Sequence, residues 1–273
     1  MAAAENGAFL GIVDDPLGER TVKPRRDGVT MVIDKGMGVQ ATEGLLAIAA
    51  SYIDYWKLPF GTSAVYPPEI LRRKIHTIRA AGVSAYPGGT FLEIAHLQGH
   101  LEAFVERVVD LGFDAIEVSD GTIDLTPSER REAIRIARAN GLTVLTEVGR
   151  KDPTERLSAL QIHRTMLEDI AAGAERIIVE GRESGKGVGI YDEQGEIAEE
   201  ELLKMVRAAG DTHRLIWEAP LKSQQQELIR RFGSNVSLGN VPPEEILALE
   251  ALRRGLRADT LRYVLPGRAE GGV

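Results

Sequence analysis

Short apolar runs alternate with amphipathic stretches along most of the chain. Each run spans four to seven residues and is followed by a stretch with the helical spacing of apolar positions. Continuous apolar runs of this length are typical of strands that are buried on both faces. The predicted strands are Val29–Ile33, Tyr52–Leu58, Val83–Tyr86, Ala115–Ser119, Thr143–Val148, Arg176–Glu180, Arg214–Glu218 and Asn235–Leu238. The predicted helices span residues 38–50, 68–81, 92–111, 127–140, 154–173, 196–209, 221–232 and 243–254.

Eight strands and eight helices in strict alternation predict a parallel sheet. The first 26 residues show no sustained period and are interpreted as an N-terminal arm. The other 247 residues amount to about 31 per strand–helix unit, which suits a closed barrel of about 250 residues. We therefore expect an α/β protein with two parts, an arm at 1–26 and a single-domain (β/α)8 TIM barrel at 27–273.

Composition and charge narrow the range of partners. Hydrophobic residues make up 43% of the chain and charged residues 27%, as in ordinary globular proteins. The net charge of −8 argues against a nucleic-acid partner, and no apolar run approaches the ~18 residues of a membrane helix. The absence of cysteine excludes disulfides and thiolate metal sites, and it makes a cytoplasmic location the default expectation.

Four consecutive predicted strands, the fourth to the seventh, carry a glutamate at or near their ends. These residues are Glu117, Glu147, Glu180 and Glu218. Catalytic residues of TIM barrels stand at this end of the strands. Several carboxylates are buried together only when cations or a metal offset their charge. The pattern favours a polar active site over a purely structural lattice of charges.

Basic residues are predicted at the same rim of the barrel. Period-2 alternation places Ile53, Tyr55 and Lys57 on one side of the second strand. Oxygen ligands without cysteine favour Mg²⁺, with Mn²⁺ as an alternative. The candidate cations are Lys35, Lys57, Arg150, Lys151 and Arg182. The candidate metal ligands are Glu117, Glu147 and Glu180, with Asp34 and Glu218 as alternatives.

Two segments have features of phosphate sites. The glycine-dense stretch Gly181–Gly189 could bring backbone N–H groups close to an anion. Gly239 and Asn240 lead into a helix that begins near Pro243, and helix N-termini attract phosphate. The alternatives are a mobile lid for the first segment and an ordinary turn for the second.

Taken together and in order, the strand-end segments resemble those of the phosphosulfolactate synthase family. The resemblance runs from about Lys23 to Asn240. The segments that carry it are Lys23-Pro24-Arg25, Thr30–Gly36, Ile53–Lys57 with Gly61-Thr62-Ser63, Tyr86–Thr90, Ile116–Gly121, Glu147-Val148-Gly149, Glu180–Glu183 and Leu238-Gly239-Asn240.

The resemblance implies a β/α barrel and a carbon–sulfur lyase. It implies the Mg²⁺-dependent addition of sulfite to phosphoenolpyruvate, giving (2R)-phospho-3-sulfolactate, a step of coenzyme M biosynthesis or of sulfolactate formation. It also implies a homo-oligomer, with a trimer as the candidate assembly.

The same resemblance implies roles for individual residues. Lys151 would be the general acid that protonates C2, and Lys35, Lys57 and Arg182 would hold sulfite and phosphate. Asp34 or Asp120 would orient lysines. Glu117, Glu147 and Glu180 would position metal or water. The substrate-binding candidates, besides Arg182, are Ser119, Asp120, Tyr86, Gly239 and Asn240.

Two other functions are compatible with the sequence. One is an aldolase that forms a Schiff base with a phosphorylated small molecule through Lys57 or Lys151. The other is a member of the same family that keeps the barrel but not the synthase reaction, in a stress-related or scaffolding role. Activity that survives EDTA and borohydride trapping of a carbonyl substrate would favour the aldolase.

Overall fold

A computed structural model describes residues 8, 9, 11–149 and 157–265 of the chain. Eight parallel strands form one nearly closed barrel and alternate with helices, which confirms the predicted (β/α)8 architecture. The strands are β1 (Thr30–Ile33), β2 (Tyr55–Leu58), β3 (Ser84–Pro87), β4 (Ala115–Val118), β5 (Thr143–Val148), β6 (Arg176–Val179), β7 (Leu215–Glu218) and β8 (Leu238–Val241).

Ten α-helices lie among the described residues. They are α1 (Val39–Ala49), α2 (Pro68–Ala80), α3 (Gly89–Leu97), α4 (Leu101–Asp110), α5 (Pro127–Ala139), α6 (Ala159–Ala172), α7 (Glu199–Ala209), α8 (Lys222–Phe232), α9 (Ile246–Arg253) and α10 (Ala258–Leu261). Short 3₁₀ helices occupy Ala50–Tyr52, Thr62–Val65 and Pro243–Glu245. No described helix has the length and apolar character needed to cross a membrane.

The structure corrects the prediction of one long helix at 92–111. Two helices, α3 and α4, occupy this stretch instead. Gly99 stands between them with a φ of +72°, a backbone conformation that favours glycine and ends a helix. The apolar periodicity continues across this break, so the pattern alone did not show it.

Two strand boundaries also differ from the prediction. β2 begins at Tyr55 because a 3₁₀ turn takes up Ala50–Tyr52, and Ile53 packs outside the barrel rather than beside Tyr55. β8 begins at Leu238, where the prediction ends it. Gly239 and Asn240 therefore lie within β8, and they were placed beyond it because both residue types are rare in strands.

The hydrogen-bonded sheet is open at one seam. Its strand order is β3-β2-β1-β8-β7-β6-β5-β4, which leaves β3 and β4 as the two ends. Asp114 bridges them, because its N–H donates to the carbonyl of Ala85 at 3.4 Å and its Oδ1 accepts the N–H of Ala85 at 2.8 Å. A carboxylate thus replaces a backbone acceptor where the strand ladder is missing.

The barrel interior changes from apolar to ionic within one two-residue step. The apolar layer consists of Val29, Met31, Tyr55, Tyr86, Ala115, Leu145, Ile178 and Ile216. Two residues further along β2, β4, β5, β6 and β7, the chain reaches Lys57, Glu117, Glu147, Glu180 and Glu218. Because successive side chains alternate between the faces of a strand, this second set points to the same interior at the carboxyl end of the barrel.

The chain preceding β1 packs against the opposite, amino-terminal end of the barrel. Arg20 pairs with Glu250 on α9 at 3.2 Å. Arg176, at the start of β6, donates to the carbonyls of Arg25 and Arg26 at 3.1 and 2.7 Å. These contacts hold the segment against the end of the barrel that lies away from the ionic layer.

Candidate active site

One lysine and four glutamates form a buried cluster at the carboxyl end of the barrel, here called the mouth cluster. Each of these five side chains belongs to a residue that is at most 6% exposed. The Lys57 Nζ lies 2.9 Å from Glu117 Oε2, 3.2 Å from Glu218 Oε1 and 3.8 Å from Glu147 Oε2. The members are Lys57, Glu117, Glu147, Glu180 and Glu218.

Burial and mutual repulsion shift the protonation equilibria of this cluster. Burial raises the pKa of Glu117 from 4.5 to about 7, with Lys57 opposing the rise and Glu147 adding to it. Burial alone would lower the pKa of Lys57, but the attraction of Glu117 and Glu218 more than compensates and raises it well above its usual value. Lys57 is therefore an ammonium ion at neutral pH.

Three of the glutamates are placed to share a metal ion. Glu147, Glu180 and Glu218 each offer a carboxylate oxygen, and these oxygens lie within 4.8 Å of one another. Two of these residues also accept backbone N–H groups, Glu218 from Gly181 at 2.9 Å and Glu180 from Arg182 at 2.7 Å. This group contains Glu147 and Glu180 from the predicted metal ligands together with Glu218, the alternative candidate, and the ligand assignment stays a prediction.

Glu117 is occupied by other partners. Its Oε2 contacts the Lys57 ammonium at 2.9 Å, and its Oε1 accepts the N–H of Gly89, the first residue of α3, at 2.8 Å. A side chain at Gly89 would collide with Glu117 and Ser119, so glycine permits this close approach. Glu117 therefore joins β4 to the loop after β3.

Asp34 does orient a lysine, but the partner is Lys74 of α2. The Lys74 Nζ lies 2.5 Å from Asp34 Oδ2, which also accepts the indole N–H of Trp56 at 2.9 Å. Asp34 Oδ1 accepts the N–H groups of Gly36 and Met37. Asp34 thus shapes the β1–α1 loop, while Lys35 on that loop is exposed to solvent.

Ser119 and Asp120 hold the loop that follows β4. Ser119 Oγ donates to Glu93 on α3 at 2.6 Å. Asp120 pairs with Arg130 of α5 at 2.9 Å. Arg130 also donates to the backbone carbonyl of Glu147 at 2.8 Å, so these contacts link the ends of β4 and β5.

Sequence reasoning missed three buried charged residues on helices. Lys74, Glu93 and Arg130 are each at most 4% exposed. Each lies at a position that the apolar stripe of its helix would occupy, as Lys74 does among Leu71, Ile75 and Ile78. A charged residue within an apolar stripe is the signal that could have identified them.

Tyr86 and Gly239 lie in or beside the apolar layer below the mouth cluster. Tyr86 is fully buried, with its hydroxyl against Met31 Sδ, and burial raises the pKa of its phenol. A side chain at Gly239 would displace the terminal methyl of Met31, so glycine leaves room for the packing of Met31. Asn240 donates from Nδ2 to the carbonyl of Arg182 at 3.1 Å and links β8 to the loop after β6.

The glycine-rich loop after β6 is anchored to the rim of the barrel. Tyr191 OH donates to the carbonyl of Glu218 at 2.6 Å. Gln224 Nε2 donates to the carbonyls of Gly185 and Gly195 at 2.6 and 3.0 Å. A side chain at Gly189 would collide with the carbonyl of Glu180, which explains the need for glycine beside the mouth cluster. Arg150 and Lys151, in the loop after β5, lie outside the described residues.

Curated proteins with similar sequences share one function. Phosphosulfolactate synthase of Methanothermobacter thermautotrophicus is 44% identical over 249 residues, which cover 90% of this chain and 95% of that protein. The enzyme of the same name from Bacillus subtilis is 37% identical over 243 residues, 88% of this chain and 95% of that protein. These relatives support the interpretation of the chain as an enzyme.

Solved structures of low sequence identity share the barrel. 3-Hexulose-6-phosphate synthase from Salmonella typhimurium superposes with a TM-score of 0.56 at 13% identity, covering 82% of this chain and 98% of that one. An HpcH/HpaI aldolase from Desulfitobacterium hafniense has a TM-score of 0.53 at 14% identity, covering 89% and 95%. At this identity the likeness concerns the fold alone.

The sequence profile of one protein family spans most of the chain. It matches residues 18–259, a range that contains all eight strands and the whole mouth cluster. With this match and the curated relatives at 37–44% identity, the chain belongs to the (2R)-phospho-3-sulfolactate synthase (ComA) family.

Proposed function

We propose that this protein catalyses the addition of sulfite to phosphoenolpyruvate, giving (2R)-phospho-3-sulfolactate, with Mg²⁺ as its cofactor. Family membership supports the reaction, since curated relatives that cover nine-tenths of the chain bear the name of this synthase. The observation that carries the proposal is the mouth cluster, in which buried carboxylates outnumber the single lysine. A divalent cation would offset the remaining negative charge of such a cluster.

The residues present fit a hard divalent cation. Glu147, Glu180 and Glu218 offer three buried carboxylate oxygens, the ligand type that Mg²⁺ prefers, and the chain contains no cysteine. These residues would hold the ion, and the ion would act as a Lewis acid toward negative charge that develops on the substrate carboxylate.

The reaction forms one bond and consumes one proton. The sulfur lone pair of sulfite attacks C3 of phosphoenolpyruvate and forms the C–S bond, while the C2–C3 π pair moves toward the carboxylate. C2 then takes up a proton, and the phosphate ester stays intact. In this proposal Lys151 Nζ delivers that proton from one face and so sets the configuration at C2.

Lys57 has a positioning role in this scheme. Its ammonium group offsets part of the negative charge of Glu117 and Glu218, so these carboxylates can stand beside anionic substrates at lower electrostatic cost. Lys35 and Arg182 are the remaining cations proposed to hold sulfite and phosphate. Schiff-base chemistry at Lys57 is disfavoured, because an amine must be neutral to attack a carbonyl and the pKa of Lys57 is raised.

The direct test uses purified full-length protein with phosphoenolpyruvate, sulfite and MgCl₂. Mass spectrometry should identify phosphosulfolactate, and omitting sulfite or adding EDTA should abolish it. The Glu147→Gln variant should need more Mg²⁺ for the same rate.

Two outcomes would overturn the proposal. A folded protein that forms no product would indicate a family member without synthase activity. A carbonyl substrate trapped on the protein by borohydride, with turnover that persists in EDTA, would indicate an aldolase.

A further inference from the structure

A cleft opens at the amino-terminal end of the barrel, on the side away from the mouth cluster. Its volume is about 410 Å³, within the range of small-molecule sites. Four arginines, Arg25, Arg26, Arg176 and Arg214, contribute to its lining, together with Glu175, Asp211 and His213. Arg25 is already paired with Asp54.

The buried guanidinium of Arg176 connects two segments that line this cleft. Arg176 is 7% exposed, and its Nη1 donates to the carbonyls of Arg26 and His213 at 2.7 and 2.8 Å. It therefore ties the segment before β1 to the turn before β7. Since Arg214 follows His213 directly, this bond places Arg26 and Arg214 on adjoining walls. Arg176 Nε is buried and has no hydrogen-bond partner among the described residues.

Arginines outnumber carboxylates in the lining of this cleft, and both carboxylates accept hydrogen bonds. Glu175 Oε1 accepts the hydroxyl of Tyr55 at 2.9 Å, and Asp211 Oδ1 accepts the N–H of His213 at 2.9 Å. Arg214 donates only to the carbonyl of Glu175, at 3.2 Å, within the described part of the chain.

Arg26 is the least satisfied of these cations. It is exposed, and no residue in the described ranges offers its guanidinium a hydrogen bond or an ion pair. Guanidinium groups bind phosphate through two parallel N–H···O bonds, and a small phosphorylated molecule fits a cleft of this size.

We propose that this cleft binds the phosphate group of a small phosphorylated molecule, with Arg26 and Arg214 as its ligands. The site is separate from the mouth cluster, and the proposal does not depend on the synthase reaction. It explains why two exposed arginines beside this cleft form no ion pair with any described residue, in a chain whose net charge is −8.

The test is calorimetric titration of the full-length protein with inorganic phosphate, in EDTA and at constant ionic strength. EDTA keeps metal out of the mouth cluster, whose excess of carboxylates then repels phosphate. The Arg26→Gln/Arg214→Gln double variant should bind phosphate at least about tenfold more weakly, because two charge-assisted hydrogen bonds are lost. Both arginines are exposed, so the variant should keep the circular dichroism spectrum and melting temperature of the parent.

The matched control is Arg73→Gln/Arg262→Gln, which removes the same charge from two other exposed positions and should leave phosphate binding unchanged. Glycerol 3-phosphate in a parallel titration separates the two ligand sources. Tighter binding than inorganic phosphate assigns the site to a phosphorylated metabolite, and equal binding assigns it to free phosphate. Absence of phosphate binding at millimolar concentration, equal affinity of the double variant, or an equal loss in the control would overturn the proposal.

Discussion

Charged side chains are buried at both ends of the barrel, but their partners differ. At the mouth, Lys57 is surrounded by carboxylates, with Glu117 at 2.9 Å and Glu218 at 3.2 Å. At the opposite end the fully buried Arg253 donates to the backbone carbonyls of Ser234 and Val236, at 2.8 and 2.5 Å. The buried lysine at the mouth is therefore paired with carboxylates, whereas the buried arginine at the opposite end is paired with uncharged backbone carbonyls.

The two environments shift pKa values in opposite directions. Burial lowers the pKa of Arg253 well below its usual value, and nearby Arg20 adds to the fall. The carboxylates around Lys57 outweigh burial and raise its pKa. Backbone carbonyls cannot change charge, so the acceptors around Arg253 do not titrate, whereas the carboxylates of the mouth cluster can gain or lose protons.

The largest effect is expected for Lys57→Met. Removing the lysine leaves buried carboxylates without their cation, which costs about 3–5 kcal/mol of unfolding free energy. Urea denaturation at pH 8, above the pKa of Glu117, measures this loss of unfolding free energy. The turnover rate should also fall. Lys35→Met, at an exposed position, is the control and should change stability by less than about 0.5 kcal/mol. Equal stability of the two variants would contradict the ionic account of the mouth.

Arg253→Met should separate stability from activity. It leaves the carbonyls of Ser234 and Val236 without their donor, so unfolding free energy should drop by about 3 kcal/mol. Turnover per folded molecule should stay unchanged, because the arginine lies at the far end of the barrel. The neighbouring Arg254→Met breaks a partly exposed pair with Asp15 and should cost about 1 kcal/mol or less. A changed kcat of Arg253→Met would contradict the conclusion that the amino-terminal end of the barrel contributes to stability but not to turnover.

Lys151→Ala tests the proton donor proposed from family resemblance. Turnover should fall at least ~10²-fold, the lower range for a general acid, while the circular dichroism spectrum stays that of the parent. Lys204→Ala on α7 removes a lysine elsewhere and should keep full turnover. Near-normal turnover of Lys151→Ala would remove this residue from the role.

Glu147→Gln sharpens the assignment of the metal ligands. The apparent affinity for Mg²⁺ should fall by about tenfold or more, since even the loss of an outer partner of a metal ligand costs that much. Calorimetric titration with MgCl₂ measures it. Glu250→Gln, at the arginine-rich end beside Arg20, should leave the titration unchanged. An unaltered titration of Glu147→Gln would move the ion to other ligands.

The last prediction concerns the pH dependence of stability. Folding raises the pKa of Glu117 from 4.5 to about 7, so the folded protein binds more protons than the unfolded chain in that interval. Unfolding free energy should therefore decrease as pH rises through it, with a contribution of up to about 1.4 kcal/mol per pH unit. Denaturation in EDTA at several pH values should show a flatter profile for Glu117→Gln. Parallel profiles for the two proteins would contradict the raised pKa.

The alternation of residues along the strands made the barrel and its ionic end predictable. Lys57 and the four strand-end glutamates follow apolar residues by two positions, which puts them on one face without knowledge of the fold. The pairing within the cluster was not predictable. Lys57 meets Glu117 across β3, and that distance depends on the curvature of the sheet rather than on spacing in the chain.

Contacts outside the barrel wall were also beyond sequence reasoning. Asp34 stands at a strand end like the glutamates, but its side chain meets Trp56 and Lys74. A shift of one residue along a strand reverses the face to which a side chain points. The cofactor, the substrates, the homo-oligomer and the cytoplasmic location stay predictions.

Glu117 has two structural roles, because it lies beside the open seam between β3 and β4. One of its oxygens holds the ammonium of Lys57 and the other holds the N–H of Gly89, across the gap that the strand ladder leaves. The same carboxylate therefore contributes to the electrostatics of the mouth cluster and links β4 to the chain that follows β3. Protonation of Glu117 should therefore weaken both its ion pair with Lys57 and its hydrogen bond to the N–H of Gly89. Hydrogen exchange at the Gly89 amide should detect the second change.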